Sequence, residues 1–229
     1  MDLGKSSYAE AVELQLGLVR RLQGLDREEA YLILTEHNPP VITMGISAAE
    51  GNVLATGAQL EAEGIELHRT RRGGDVTYHG PGQLVCYPIL QLRRHGKSLR
   101  RYQRDLEEVI IRVLSRFGAD TFRREGLTGV WTPEGKIAAI GVAVARWVSY
   151  HGFAVNICPN MDHFQLIVPC GLSNEPVMSL RNLVDGPVSV EAAKPLVIEE
   201  MVTVFGFTGW KEVTSDQLSE MRQAILRSR

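Results

Sequence analysis

The chain has 229 residues, a formal charge of −2, 44% hydrophobic residues and 23% charged residues. That is enough for one large domain with a sizeable core, and the balanced charge gives no electrostatic reason to expect a nucleic-acid partner. Cys86, Cys158 and Cys170 lack the paired spacing of a zinc site or a disulfide framework, so no metal is expected. Residues 1–25 hold no uninterrupted apolar segment, and the most apolar run, 137–148, is too short for a bilayer and contains Arg146. The expectation is a single domain, 1–229, in the cytoplasm and without a membrane segment.

Ser7-Tyr-Ala-Glu10 reads as a capping box, opening a helix with Val12, Leu16 and Val19 on one face and Gly24 at its end. Residues 30–34 form a buried strand that runs into Asn38-Pro39-Pro40, and 41–44 a second strand. A loop, a short helix near 59–63 and a strand at 65–68 lead to the centre of the chain. Ser98 to Phe117 carries apolar residues at three-four spacing, from Leu99 and Tyr102 to Val113 and Phe117, with Gly118 placed as a C-cap. Strands follow at 129–132, 136–145 and 147–157, the last broken at Gly152, and helices near 191–205 and 215–226. Strands in the middle with helices outside predict an α+β fold with a mixed sheet flanked by helices.

Everything is arranged around 71–90. Gly73 and Gly74, then Gly80 and Gly82, bracket the β-prone run 76–78, with Arg72 and His79 at the edges, and a strand runs on from Leu84 until Pro88. Glycine pairs allow close backbone approach to a ligand, although hairpin turns use them equally well. Cys170 lies in Val-Pro-Cys-Gly, at a strand-to-loop corner where a nucleophile can be presented; a buried structural thiol is the other reading. A free thiol of pKa about 8.5 is roughly 3% ionised at pH 7, so a cation that lowered it by about two units would make most of it reactive. Lys136, flanked by Ile137, Ala138 and Ala139, is the candidate cation, unless it is an exposed hairpin lysine.

Arg72-Gly-Gly-Asp-Val-Thr-Tyr-His79-Gly-Pro-Gly-Gln resembles the signature of the lipoyl(octanoyl) transferases. Glu36-His-Asn-Pro-Pro, Lys136-Ile-Ala-Ala-Ile-Gly141, His151-Gly-Phe-Ala-Val-Asn156 and Val168-Pro-Cys-Gly171 match further motifs of that family in order, over roughly 28–182. The resemblance implies a biotin/lipoate protein ligase-like fold and an acyltransferase that moves octanoyl from octanoyl-acyl carrier protein onto lipoyl domains. The acceptors would be the lipoyl domains of 2-oxoacid dehydrogenase complexes and the glycine cleavage H protein, with no cofactor.

Carried over residue by residue, Cys170 would bear the acyl thioester and Lys136 would activate it. Arg72, Gly73, Gly74, Asp75, Val76, Thr77, Tyr78 and His79 would line the acyl pocket, with Ala139, Ile140 and Gly141, and with Gly152, Phe153 and Ala154. Asp75 departs from the glutamine expected there, Met178 from threonine, and Ile46 from a basic residue after Gly45. An ATP-dependent lipoate or biotin ligase of the same fold and an inert acyl-binding scaffold are the competing readings. Two further expectations follow: Gly152→Val should hinder a long acyl chain more than a short one, and the six cations of 93–104 should form a docking patch for the carrier protein.

Overall fold

The computed structural model describes residues 1–169 and 175–227. Its strands are β1 (Asp2–Ser6), β2 (Tyr31–His37), β3 (Val41–Met44), β4 (Glu66–Arg69), β5 (Val76–His79), β6 (Gln83–Ile89), β7 (Phe122–Arg124), β8 (Leu127–Thr132), β9 (Gly135–Ala145) and β10 (Val148–Asn156). The helices are α1 (Tyr8–Gln23), α2 (Gly57–Ala62), α3 (Leu99–Ser115), α4 (Val190–Phe205) and α5 (Ser215–Arg227). A seven-stranded sheet runs β1-β2-β6-β10-β9-β8-β7, and a three-stranded sheet runs β4-β3-β5. β1 lies parallel to β2 and β4 parallel to β3, while the other pairs are antiparallel, so both sheets are mixed. No helix of the described residues is long and apolar enough to cross a membrane.

The large sheet is buried on both faces, which is why β6 is apolar without a break. Leu84 and Cys86 pack towards α3 and α4, while Val85, Tyr87 and Ile89 pack towards α1 and α5. α1 starts on the Ser7–Glu10 capping box as its sequence predicts, but the buried face differs from the expected one. Ala11, Leu14, Leu18 and Leu22 face the core, Leu16 is exposed, and Val19 alone of the expected trio is buried. The three-four pattern admits both stripes, and contact with β10 and β6 selects the one richer in leucine.

Two strands escape the hydrophobic pattern: β1 (Asp-Leu-Gly-Lys-Ser) and β7 (Phe-Arg-Arg) sit at the sheet edges, where burial on both faces is not required. Pro88 does not end its strand but lies within β6, opposite Leu32. A proline in a central strand lacks a ladder donor on one side. On that side β10 pairs with β6 only up to Phe153↔Cys86. Beyond it Ser149 Oγ takes over, donating to Pro88 O at 2.9 Å and accepting from Leu90 N at 3.0 Å. β10 itself is continuous through Gly152; the irregularity lies one residue earlier, where His151 adopts φ 56°. A left-handed conformation at a non-glycine residue costs of order 1–3 kcal/mol. It is held by a 2.7 Å bond from His151 N to Oε1 of the buried Gln15.

Candidate active site

A slot opens where the two sheets meet. Its lining on the large sheet comes from Val85 and Tyr87 of β6, 139–141 of β9 and 151–154 of β10; on the other side stand Arg72 to Asp75, Thr77 and His79, with Tyr8 at one end. The free volume is about 40 Å³, room for about three waters. The glycines explain the narrowness: Gly73 N donates to Val142 O at 2.9 Å, so the backbone of the loop before β5 lies directly on β9.

Most of the residues expected at the pocket converge there, with two exceptions. Val76 and Tyr78 point the other way, into a small core with Ile42, Met44 and Phe164, because side chains alternate along β5. Tyr78 is tied there by a 2.7 Å bond with His163 Nδ1. Asp75 lines the mouth and accepts from Ala49 N and Asn52 Nδ2, which fastens the 46–53 loop to the glycine wall. Tyr8, Val85 and Tyr87 line the slot without having been singled out, and His151, marked only as the head of a matched motif, joins them. Tyr87 could have been found from its alternation with Val85; Tyr8 arrives by tertiary packing alone.

The slot's histidines are buried and held neutral, with the Arg72 guanidinium buried among them. The Arg72 guanidinium, 7% exposed, donates through Nε and Nη2 to Thr43 Oγ1, through Nη2 to Thr43 O, and through Nη1 to Gly73 O. Ser6 O can only accept, so His37 carries its proton on Nδ1 and its Nε2 accepts from the Tyr87 hydroxyl at 2.6 Å. His79 Nδ1 donates in the same way to Gln83 Oε1 at 2.7 Å, since the Gln83 amide donates to Asn156 Oδ1. Tyr8 donates to Thr70 Oγ1, which lies 3.3 Å from His151 Nε2.

Burial drives the pKa of His37 down to about 4, of His79 to about 3 and of His151 to about 4, and the charge of Arg72 adds to the effect on the last two. A ring whose conjugate acid titrates near 3 is a weak base at neutral pH, so His79 is poorly suited to take a thiol proton.

Lys136 stands in β9, three residues before Ala139 of the slot lining, and is only 9% exposed, not the exposed hairpin lysine that composition allows. Its Nζ lies 5.3 Å from the centroid of the Trp131 ring, and the Arg124 guanidinium lies 4.6 Å from the same centroid. The stem runs across Gly129, where a Cβ would stand 2.6 Å from Cε and 3.3 Å from Nζ. Gly129 also has φ 126°, so glycine is needed there twice over. The Lys136 backbone is bonded to 176–178: Lys136 N donates to Pro176 O at 2.8 Å, and Met178 N to Lys136 O at 2.9 Å. Cys170 lies outside the described residues. Of the other cysteines, Cys86 is fully buried, its thiol pKa pushed well up by burial, and Cys158 is partly buried, as expected of structural thiols.

Mixed sheets flanked by helices, with a narrow slot where the two sheets meet, define the class: an α+β domain with its candidate site between sheets. Residues 7–202 match the family model of the lipoyl protein ligase A/B catalytic domain, and the chain belongs to that family. It is similar to the octanoyltransferases of Gloeobacter violaceus (49% identity, covering 90% of this chain and 89% of the relative) and Alkaliphilus metalliredigens (42%; 90% and 94%). Among solved structures it resembles lipoate-protein ligase A bound with ATP (TM-score 0.71, 14% identity, 99% and 91% covered). It also resembles a bi-partite lipoate protein ligase from Thermoplasma acidophilum (TM-score 0.71, 17%, 99% and 91%). At these identities the solved structures speak for the fold, which is the biotin/lipoate ligase-like fold that the sequence implies.

Proposed function

We propose that the protein transfers an octanoyl group from a carrier-protein thioester to the acceptor lysine of a lipoyl domain, through an acyl-enzyme on Cys170. The resemblance of 42–49% to octanoyltransferases over most of the chain supports the reaction. The observation that carries the chemistry is Lys136: a buried lysine on the strand that also supplies 139–141 to the slot, bonded through its backbone to residues 176–178. In the first half-reaction the Cys170 thiol passes its proton to Lys136 Nζ, and the thiolate attacks the octanoyl carbonyl. A new C–S bond forms, the donor's C–S bond breaks, and the leaving thiolate takes the proton back. In the second, the acceptor lysine amine attacks the acyl-enzyme, an amide forms and the Cys170 thiol is restored. The acyl chain lies in the slot against Ala139, Gly141 and Ala154, with the Arg72–Asp75 backbone as its other wall.

A thioester is already activated, so this route uses neither ATP nor a cofactor. The acceptors are lipoyl domains of 2-oxoacid dehydrogenase complexes and the glycine cleavage H protein. Intact mass after incubation with octanoyl-carrier protein, in the absence of ATP, should show one octanoyl adduct, lost in Cys170→Ala. Absence of the adduct, or acyl transfer from free octanoate only when ATP is added, would replace this reading with a ligase.

A further inference from the structure

Six cations fall within 93–104, Arg93, Arg94, Lys97, Arg100, Arg101 and Arg104, with no acidic residue between them, in a chain of net charge −2. α3 begins in their midst and has no acidic residue in its first turn. Exposed cations there oppose the helix dipole, at about 0.3–1 kcal/mol each.

The structure divides these cations. Arg101 faces Asp105 at 3.8 Å, whereas Arg100 and Arg104 turn towards the β7–β8 hairpin and line a groove of about 500 Å³ with Arg123 and Arg124. Four guanidiniums line it beside Glu107 and Glu125, while Glu108 pairs with Arg123 from outside the lining. Glu107, 1% exposed, is engaged by Arg104 and Arg123, and Arg124 pairs with Glu175. Arg100 is exposed and has no ion pair among the described residues.

The groove lies near Lys136. Its lining includes Thr128, the neighbour of Gly129, across which the Lys136 stem lies, and Arg124 shares the Trp131 ring with the Lys136 ammonium. We infer that this groove is the docking surface for the acyl donor, an acidic carrier protein whose acyl chain arrives on a phosphodiester-linked arm. The inference rests on the transferase reading above. An acceptor lysine is a short side chain and needs no lateral groove to reach the site. A long arm with an anionic phosphodiester does need one, and guanidiniums bind phosphate oxygens in bidentate fashion.

The test uses the full-length enzyme, two donors and one acceptor. Arg100→Glu with Gln103→Glu reverses the groove charge at partly exposed positions outside the slot; Arg101→Glu makes a similar change on the same helix turned away from it. The double variant should raise the apparent KM for octanoyl-carrier protein about tenfold at low salt, with the difference shrinking as salt is added. Octanoyl-N-acetylcysteamine, which has neither carrier nor phosphate, should acylate Cys170 at the unaltered rate, and the KM for the lipoyl domain should stay constant. Arg101→Glu should have a markedly smaller effect. An unchanged KM for the carrier overturns the inference, as does equal damage by Arg101→Glu. A shift in the lipoyl-domain KM instead assigns the groove to the acceptor, and equal loss with both donors assigns it to the chemistry; both outcomes also overturn it. If acylation by the small thioester fails in the unmodified enzyme, the transferase reading falls rather than the docking surface.

Discussion

Acidification should unfold this protein through its slot. His37, His79 and His151 are buried and neutral, with pKa values pushed down to about 4, 3 and 4 from an unfolded value near 6.5. A lowered histidine pKa means that the unfolded chain binds the proton first, so stability is complete above about pH 7 and is lost as pH falls from 6.5 towards the folded value. At pH 5 each ring forfeits about 2 kcal/mol, and the three together about 6 kcal/mol. That approaches the entire margin of a typical domain. Between pH 6 and 5 the free energy of unfolding should fall by about 3.5 kcal/mol, the change for about two and a half protons taken up on unfolding. Urea titrations at closely spaced pH values give the slope directly. A stability that stays level from pH 7.5 to 5 would show that these rings already carry their protons in the folded state, and the neutral hydrogen-bond network assigned to them would be wrong.

The two glycines of the slot should behave differently. A Cβ on Gly152 meets the Cys86 carbonyl oxygen and stands 2.6 Å from Pro88 Cδ, so Gly152→Ala strikes backbone rather than acyl chain. It should cost about 1–3 kcal/mol of stability and impair long and short acyl groups alike, which corrects the chain-length effect expected of Gly152→Val. A Cβ on Gly141 stands 2.9 Å from Arg72 Cδ and 3.1 Å from Gly73 O, inside the slot. Gly141→Ala should slow octanoyl transfer about tenfold more than butanoyl transfer; a uniform loss would mean that the chain lies elsewhere. Lys136→Arg keeps the charge but cannot cycle a proton, and it forces a planar fork against Gly129 and Trp131. Acyl-enzyme formation in a single turnover should drop at least about 100-fold with folding intact; near-normal turnover would leave Lys136 as a fixed charge only.

How far the residues could be read depended on whether the physics was local. The Ser7 capping box and the Ser98 start are encoded within four residues, and α1 and α3 begin where those residues say. The glycine wall was legible because close backbone approach leaves glycine little competition. The orientation of α1, the edge strands β1 and β7 and the role of Pro88 were not, since each is settled by a partner far along the chain. Pro88 is the clearest case: its strand survives because Ser149, about sixty residues on, supplies the missing partner. The same limit separated Thr77 and His79, which face the slot, from Val76 and Tyr78, which do not: spacing gives the alternation, but only a second sheet decides which set faces inward.

The walls of the slot differ in rigidity. One belongs to a sheet seven strands wide, packed on both faces by helices; the other rides on three strands of four residues each, and meets the first through the backbone bond from Gly73 N to Val142 O and the approach of Thr70 Oγ1 to His151 Nε2. Any widening that admits a chain must therefore be taken up by the lighter wall, as a door swings on its frame. Bound acyl groups should then leave their mark in amide exchange on 72–79, with 139–142 and 152–155 serving as the fixed jamb.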